Sequence, residues 1–285
     1  MRVYNMCESL SITGARPVLA TSLAILLHAA SSLTSDAALI ITYAESPGEM
    51  NSTLSGTSVL NFNSLPAGAR QSNLVWSGVG TIDLIYVLGA DRYGGATSTG
   101  LVGGPVTNYV VQSSTVGGAN ATATTTLTFV ADQAYFGLWW SAGDASNQLR
   151  FYKDGLLVAD YSTETLLEAV AGDVGYKGNP TTTYQGLNGN EAYAFINFYG
   201  MDGVTWDTIS FSNVTTSGFE SDNWTSRAIA YGELPGEDPG DLPGKAVAVV
   251  TGTVVTAIPE PKGAVIAGLV AAALLLKRRR NLIFC

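Results

Sequence analysis

Histidine and cysteine are almost missing from this 285-residue chain, which has one histidine, His28, and two cysteines, Cys7 and Cys285. Between Ala38 and Pro261 there is neither. A domain made from that stretch has no disulfide, no thiol nucleophile, no imidazole base and no zinc site of the Cys/His type. Ser-His-Asp hydrolysis is excluded with them. Positive charge is scarce too: residues 38–261 carry 21 acids against 7 bases, a net charge of −14. Phosphate backbones are bound by basic surface, so this balance argues against a nucleic-acid partner. It suits a soluble extracellular protein or one that binds cations. There is no internal repeat and no Gly-x-Ser-x-Gly, and "GDLPGKA" lacks the spacing of a phosphate loop.

What is present is β texture. Thr, Val, Tyr, Phe and Trp come in short runs broken by Gly, Asn and Asp, which predicts strands at 38–43, 58–62, 73–79, 81–88 and 107–112. "TATTTLTFV" and "AYFGLWW" read as two strands joined by the polar "ADQ". "LRFYKDGLLVADY" reads as a hairpin around Asp154-Gly155, a pair that readily supplies two positive φ angles. "AYAFINFYG" and "VTWDTISFS" read as another around Met201-Asp202-Gly203. One helical turn is expected at "TLLEAVAG", with Thr165 and Glu168 at capping-box spacing and Gly172 as terminator. The expected fold class is all-β: a single, jelly-roll-like β-sandwich over 38–232. The Pro/Gly/acid stretch "GELPGEDPGDLPGK" then reads as a spacer, and "AVAVVTGTVVTAI" as either one more strand or a low-complexity stalk, together filling 233–258.

The two ends have the order of targeting segments. Arg2 and Arg16 precede an apolar core from about Val18 to Ala30, and Ser35-Asp36-Ala37 ends in small residues. That is the order of a secretory signal, with signal peptidase expected to cut after Ala37, so 1–37 is a signal peptide. At the other end, Gly263 to Leu276 is an uncharged run of 14 residues. As a helix at ~1.5 Å per residue it reaches only ~21 Å, short of a ~30 Å hydrocarbon core. It spans as a short transmembrane helix only if Lys262 and Lys277 lend their stems. The cations Lys277, Arg278, Arg279 and Arg280 hold the tip on the cytoplasmic side. Pro259, Glu260 and Pro261 keep the chain extended just before the span.

Pro-Glu-Pro, an apolar segment and a terminal basic cluster, in that order over the last 27 residues, resemble the PEP-CTERM sorting signal of bacterial exosortase substrates. The "NLIFC" after the arginines is longer and more apolar than the usual ending. The resemblance implies export, transient membrane insertion, and processing by an exosortase near the motif. Attachment at the cell surface or release into the extracellular matrix follows. The phrases "FGLWWSAGD", "NFYG" and "GFESDN", spread over 135–225, resemble a family of exosortase-dependent surface proteins. Trp224 departs from it, standing where a histidine is expected. That family implies a surface module and no particular chemistry.

Candidate ligand residues remain. Glu220, Asp222 and Asn223, with Asp144 and Asn147 from a second loop, offer hard oxygens of the kind Ca2+ takes six to eight of. The competing reading is that they bond backbone at turns. Trp139 and Trp140 are adjacent and on a strand face opposite ways, so one is a candidate platform for sugar rings and both are candidates for the core. No cofactor is required, no carboxylate pair is marked for glycoside hydrolysis, and an enzyme is not expected. The expected role is a non-catalytic envelope or matrix component, with a lectin-like module for exopolysaccharide, with or without Ca2+, as the alternative. Asn51, Asn120, Asn213 and Asn223 each open an Asn-x-Ser/Thr triplet.

Overall fold

The computed structural model describes residues 38–114, 124–215, 217–251 and 254–257. The expected signal peptide, the Pro-Glu-Pro motif, the apolar span and the basic cluster lie outside them. Among the described residues no helix is long and apolar enough to cross a membrane.

The described chain is two antiparallel sheets and very little helix. The larger holds ten strands: β1 (Ala38–Tyr43), β2 (Ser58–Leu60), β3 (Arg70–Gln71), β6 (Ile85–Leu88), β7 (Tyr109–Ser114), β9 (Tyr135–Gly143), β12 (Ala192–Gly200), β14 (Ser217–Arg227), β15 (Lys245–Thr251) and β16 (Val254–Ala257). The smaller holds six: β4 (Leu74–Trp76), β5 (Gly80–Asp83), β8 (Thr125–Gln133), β10 (Asn147–Lys153), β11 (Leu156–Ser162) and β13 (Trp206–Asn213). From β7 to β14 the chain passes back and forth between them, with only β10 and β11 consecutive in one sheet. One sheet contains the run β7-β14-β9-β12, and the other the run β8-β13-β10-β11 ending at an edge. This is the double Greek-key order of a jelly roll.

The two sheets bury different sequence patterns because they are covered differently. In the six-stranded sheet β8, β10 and β13 alternate buried with part-exposed residues, as strands with one wet face do. β9, β12 and almost all of β14 are buried at every position. On β9, Phe136, Leu138 and Trp140 point between the sheets into the main core. Trp139 points the other way, into a second cluster with Met50, Ala96, Tyr193 and Phe195. That outer cluster is roofed by three long excursions, 44–57, 89–108 and 172–191.

Local turn chemistry predicted the connections only in part. Asp154 and Gly155, at φ 51° and 76°, do join β10 to β11 as a hairpin. Asp202 and Gly203 have nearly the same angles, 54° and 84°, yet β12 and β13 are not a hairpin. They lie in opposite sheets, because Ala194, Ile196 and Phe198 and also Ile209 and Phe211 each need the shared core. "ADQ", expected as a joint, is the end of β8 itself, and the chain passes at Ala134 to β9 in the other sheet. The run 81–88 is broken at Leu84, whose φ of 54° hands the chain from β5 to β6 and so between sheets.

The helix α1 (Glu164–Val170) forms, with Thr163 and not Thr165 at its N-cap. Thr163 makes no side-chain cap bond; its hydroxyl donates to the carbonyls of Asp144 and Asn147. Beyond Gly232 the chain stays on the body. β15 pairs with β1 and β16 with β15, so the segment left open between strand and stalk contains strand.

Candidate functional site

The outer face of the ten-stranded sheet is where polar groups are buried against loops. Of the residues singled out as oxygen donors, Asp222 is fully buried, and its carboxylate accepts from Ala96 N and Thr107 Oγ1, both at 3.0 Å, and from Asn223 N at 2.7 Å. Asn223 sits at φ 48° in the bulge where β14 slips against β9, and its amide donates to Met50 O and Asn51 Oδ1. Asn147 accepts from Trp140 Nε1 and donates to Gly218 O. These three pin β14 and the β9–β10 turn to their surroundings. They do what turn and bulge residues do, and point their oxygens at protein donors.

Asp144, Glu191 and Asp91 lie near enough to Glu220 for their charges to act on it. Asp144 is committed at one oxygen to Ser146 N and at the other to the Ser217 hydroxyl. Glu220 is 7% exposed and lies opposite Ser141 in the β9–β14 register. The Ser141 hydroxyl and Glu191 Oε2 are both buried without a hydrogen-bond partner. Among the described residues no group of three or more acids, histidines or cysteines is arranged to hold a metal ion. Trp139 and Trp140 face opposite ways as expected, but both are buried, at 1% and 0% exposure, and neither is a surface platform. Asn213 and Asn223 are buried too, their amide nitrogens spent on internal bonds, so these triplets are structural in the folded chain.

Burial sets the protonation of this face. It raises Glu220 well above the ordinary carboxylate range, helped by the charges of Asp144, Glu191 and Asp91. Glu191 is raised by burial and by Asp144, against Arg92. Asp222 is pushed up to about 7 by burial, against the bonds from Ala96, Asn223 and Thr107. Folded values above unfolded ones mean that the native protein holds these protons more tightly than the unfolded chain. Stability therefore rises as pH falls through the folded values and levels off below the unfolded ones, near 4. We expect the urea unfolding free energy to be higher at pH 5 than at pH 8, by about 1 kcal/mol or more, and Asp222→Asn to flatten that slope. Stability that is constant or greater at pH 8 would refute the assignment.

A concave site lies beside this face, and the sequence reading missed it. The loop after β1 curls over the sheet to leave a cavity of about 250 Å3. Glu45, Ser46, Glu49, Asn51 and Thr53 line its loop side, over a floor of Phe195 and Asn197 from β12. The opposite wall is Pro243-Gly244, at the entry to β15. Both walls are fastened from below. Tyr176 Oη donates to Ala44 O and Glu45 O, Asn223 holds Met50 and Asn51, and Tyr135 Oη donates to Ser52 Oγ. Pro243 O accepts from both Thr42 Oγ1 and Tyr199 Oη. Gly244, at φ 97°, lets that wall lie against the sheet, since a Cβ there would stand 2.6 Å from Tyr43 O. Two acids close to Pro47-Gly48, Glu45 and Glu49, are all that the sequence shows of it.

No protein-family model and no curated protein matches the chain. Among solved structures, the catalytic domain of a GH87 alpha-1,3-glucanase in complex with tetrasaccharides aligns with 70% of this chain and 29% of its own, at 14% identity and a TM-score of 0.29. The chain thus spans under a third of that protein's length, and the likeness is too slight to relate the two folds.

Proposed function

We propose that the chain is an exported, exosortase-processed component of the cell envelope or extracellular matrix, with no catalytic role of its own. The observation that carries this reading is the ordered tail: Pro259, Glu260 and Pro261, the apolar run, then Lys277 to Arg280. Signal peptidase and an exosortase would be its processing partners, and the membrane would hold it only in between. The lack of histidine and cysteine between 38 and 261 and the strongly acidic balance support a non-catalytic extracellular body.

The intact mass of the protein from its native envelope or medium tests this. The expected mass begins near Ala38 and ends near Pro261. A mass that still includes Cys285 would make the tail a plain anchor and overturn the sorting reading.

A second reading, a lectin-like module for exopolysaccharide, is favoured by the groove over Phe195. It is concave, polar at its rim and held open by bonds to the sheet, with the buried Phe195 and Asn197 of β12 beneath it.

A further inference from the structure

The groove over Phe195 does not stand alone. Ser46 and Glu49 also line a second, more open hollow of about 390 Å3 with Pro47, Gly48, Leu101 and Val102. The two hollows thus meet at Glu49. Leu101 and Val102 are exposed by 59% and 49%, an apolar patch set beside a carboxylate. Gly48 permits the approach of the two loops, for it has φ 79° and a Cβ there would fall 2.5 Å from Val102 Cγ2.

We propose that this double groove binds an oligosaccharide chain bearing free amino groups, with Glu49 and Glu45 receiving the ammonium of an amino-sugar unit. The inference rests on the glycan-binding reading above and adds the charge of the ligand. The charge of the walls points that way. Two carboxylates and no base line the first hollow, and Glu49 and no base line the second. The neighbouring Lys245 is turned elsewhere, its ammonium over the rings of Tyr43 and Tyr176 and 3.8 Å from Asp173. Burial and the charge of Glu45 already raise Glu49 above the ordinary carboxylate range, a cost that a bound cation relieves.

Size and shape decide between kinds of cation. A bare Ca2+ asks for six to eight oxygens closed around it. Two carboxylates on an open groove do not close. A first hollow of about 250 Å3 is below the roughly 300–1,000 Å3 of pockets that take a drug-sized ligand, so it suits a single ring. Its continuation past Glu49 suits a chain of rings. The hydroxyls of Ser46 and Thr53 and the amide of Asn51 suit ring hydroxyls, and Leu101 with Val102 suits the C–H face of the next ring. Walls already pinned to the sheet lose little freedom on binding.

Titration calorimetry on the processed protein tests the proposal, with a glucosamine hexasaccharide, its N-acetylated counterpart, a glucose hexasaccharide and calcium chloride as probes, at about pH 6. The glucosamine chain should bind at least tenfold more tightly than the other two sugars and more weakly as salt is raised. Glu49→Gln should remove about tenfold of that affinity and leave the unfolding midpoint in place; Glu45→Gln should act in the same direction. Equal binding of all three sugars, or binding indifferent to Glu49→Gln, would overturn amine recognition and leave glycan binding standing. Binding of none would overturn both. Calcium that displaces the glucosamine chain would assign the carboxylates to a metal and overturn the proposal.

Discussion

Changing Glu237 to glutamine is expected to destabilise the protein by about 3 kcal/mol or more, although Glu237 stands in a stretch that reads as a linker. The reason is Arg227 at the end of β14, whose side chain is 1% exposed. Its guanidinium meets Glu237 through two bonds, Nη1 to Oε1 at 2.5 Å and Nη2 to Oε2 at 3.2 Å. Nε donates to Ile229 O and Nη1 also to Ser55 O. The same carboxylate accepts from Gly232 N at 3.0 Å, which closes the turn at the start of the spacer. A neutral partner leaves a buried cation without its counter-charge, the costly way to break such a pair. Urea denaturation should show the loss, and Glu233→Gln, at an exposed neighbour, should stay within about 0.5 kcal/mol of wild type.

The pH dependence of that gap has a definite sign. The bonds from Arg227 hold the Glu237 carboxyl below its ordinary range, so its contribution is complete above the unfolded value and is lost as pH falls through the folded one. Wild type and Glu237→Gln should therefore converge in strong acid and stand furthest apart near neutrality. A gap that is small at pH 7 would return 233–244 to the status of a spacer.

How far the sequence could be read follows from what each signal encodes. β texture, strand positions and the two-sheet architecture were legible because alternation and Gly/Asn/Asp breaks are local. Partnership was not. Asp154-Gly155 and Asp202-Gly203 have the same chemistry and nearly the same angles, and only one of them closes a hairpin. The choice is made by which faces must meet in the core, and that is a property of the whole chain. The phrase "FGLWWSAG" drew notice for its tryptophans, but its meaning is burial on both faces of a central strand. The roof that buries the outer face comes from loops of ordinary composition, whose acids and amides looked like turn residues. Some do bond backbone at turns, as Asp91 and Asp173 do, and the strand residues Asp222 and Asn223 bond backbone at a bulge. Others, as at Glu45 and Glu49, line a groove that exists only because Tyr176, Tyr135 and Asn223, far away in sequence, hold it in place.

Trp224→Ala should cost about 3–5 kcal/mol. The indole is fully buried and lies flat on Phe211, with centroids 4.3 Å apart and planes at 11°. Phe62 meets it edge-on at 5.3 Å and Phe136 at 6.1 Å. It therefore joins β14 and the loop after β2 to strands of both sheets, and Nε1 donates to Ser221 Oγ at 3.0 Å. Against a typical total of about 5–15 kcal/mol, that loss removes a large share of the stability and, at the low end of that range, nearly all of it. Trp224→Phe separates packing from the hydrogen bond: it keeps a ring on Phe211, gives up the bond to Ser221, and should cost about 1–2 kcal/mol. Trp224→His should fall between the two, since an imidazole keeps a polar edge but fills less of the space. If all three variants unfold within about 1 kcal/mol of wild type, the residue is not packed as described. If they follow the expected order, a ring at this position is there for its volume, and an imidazole in its place would owe its presence to packing before any chemistry.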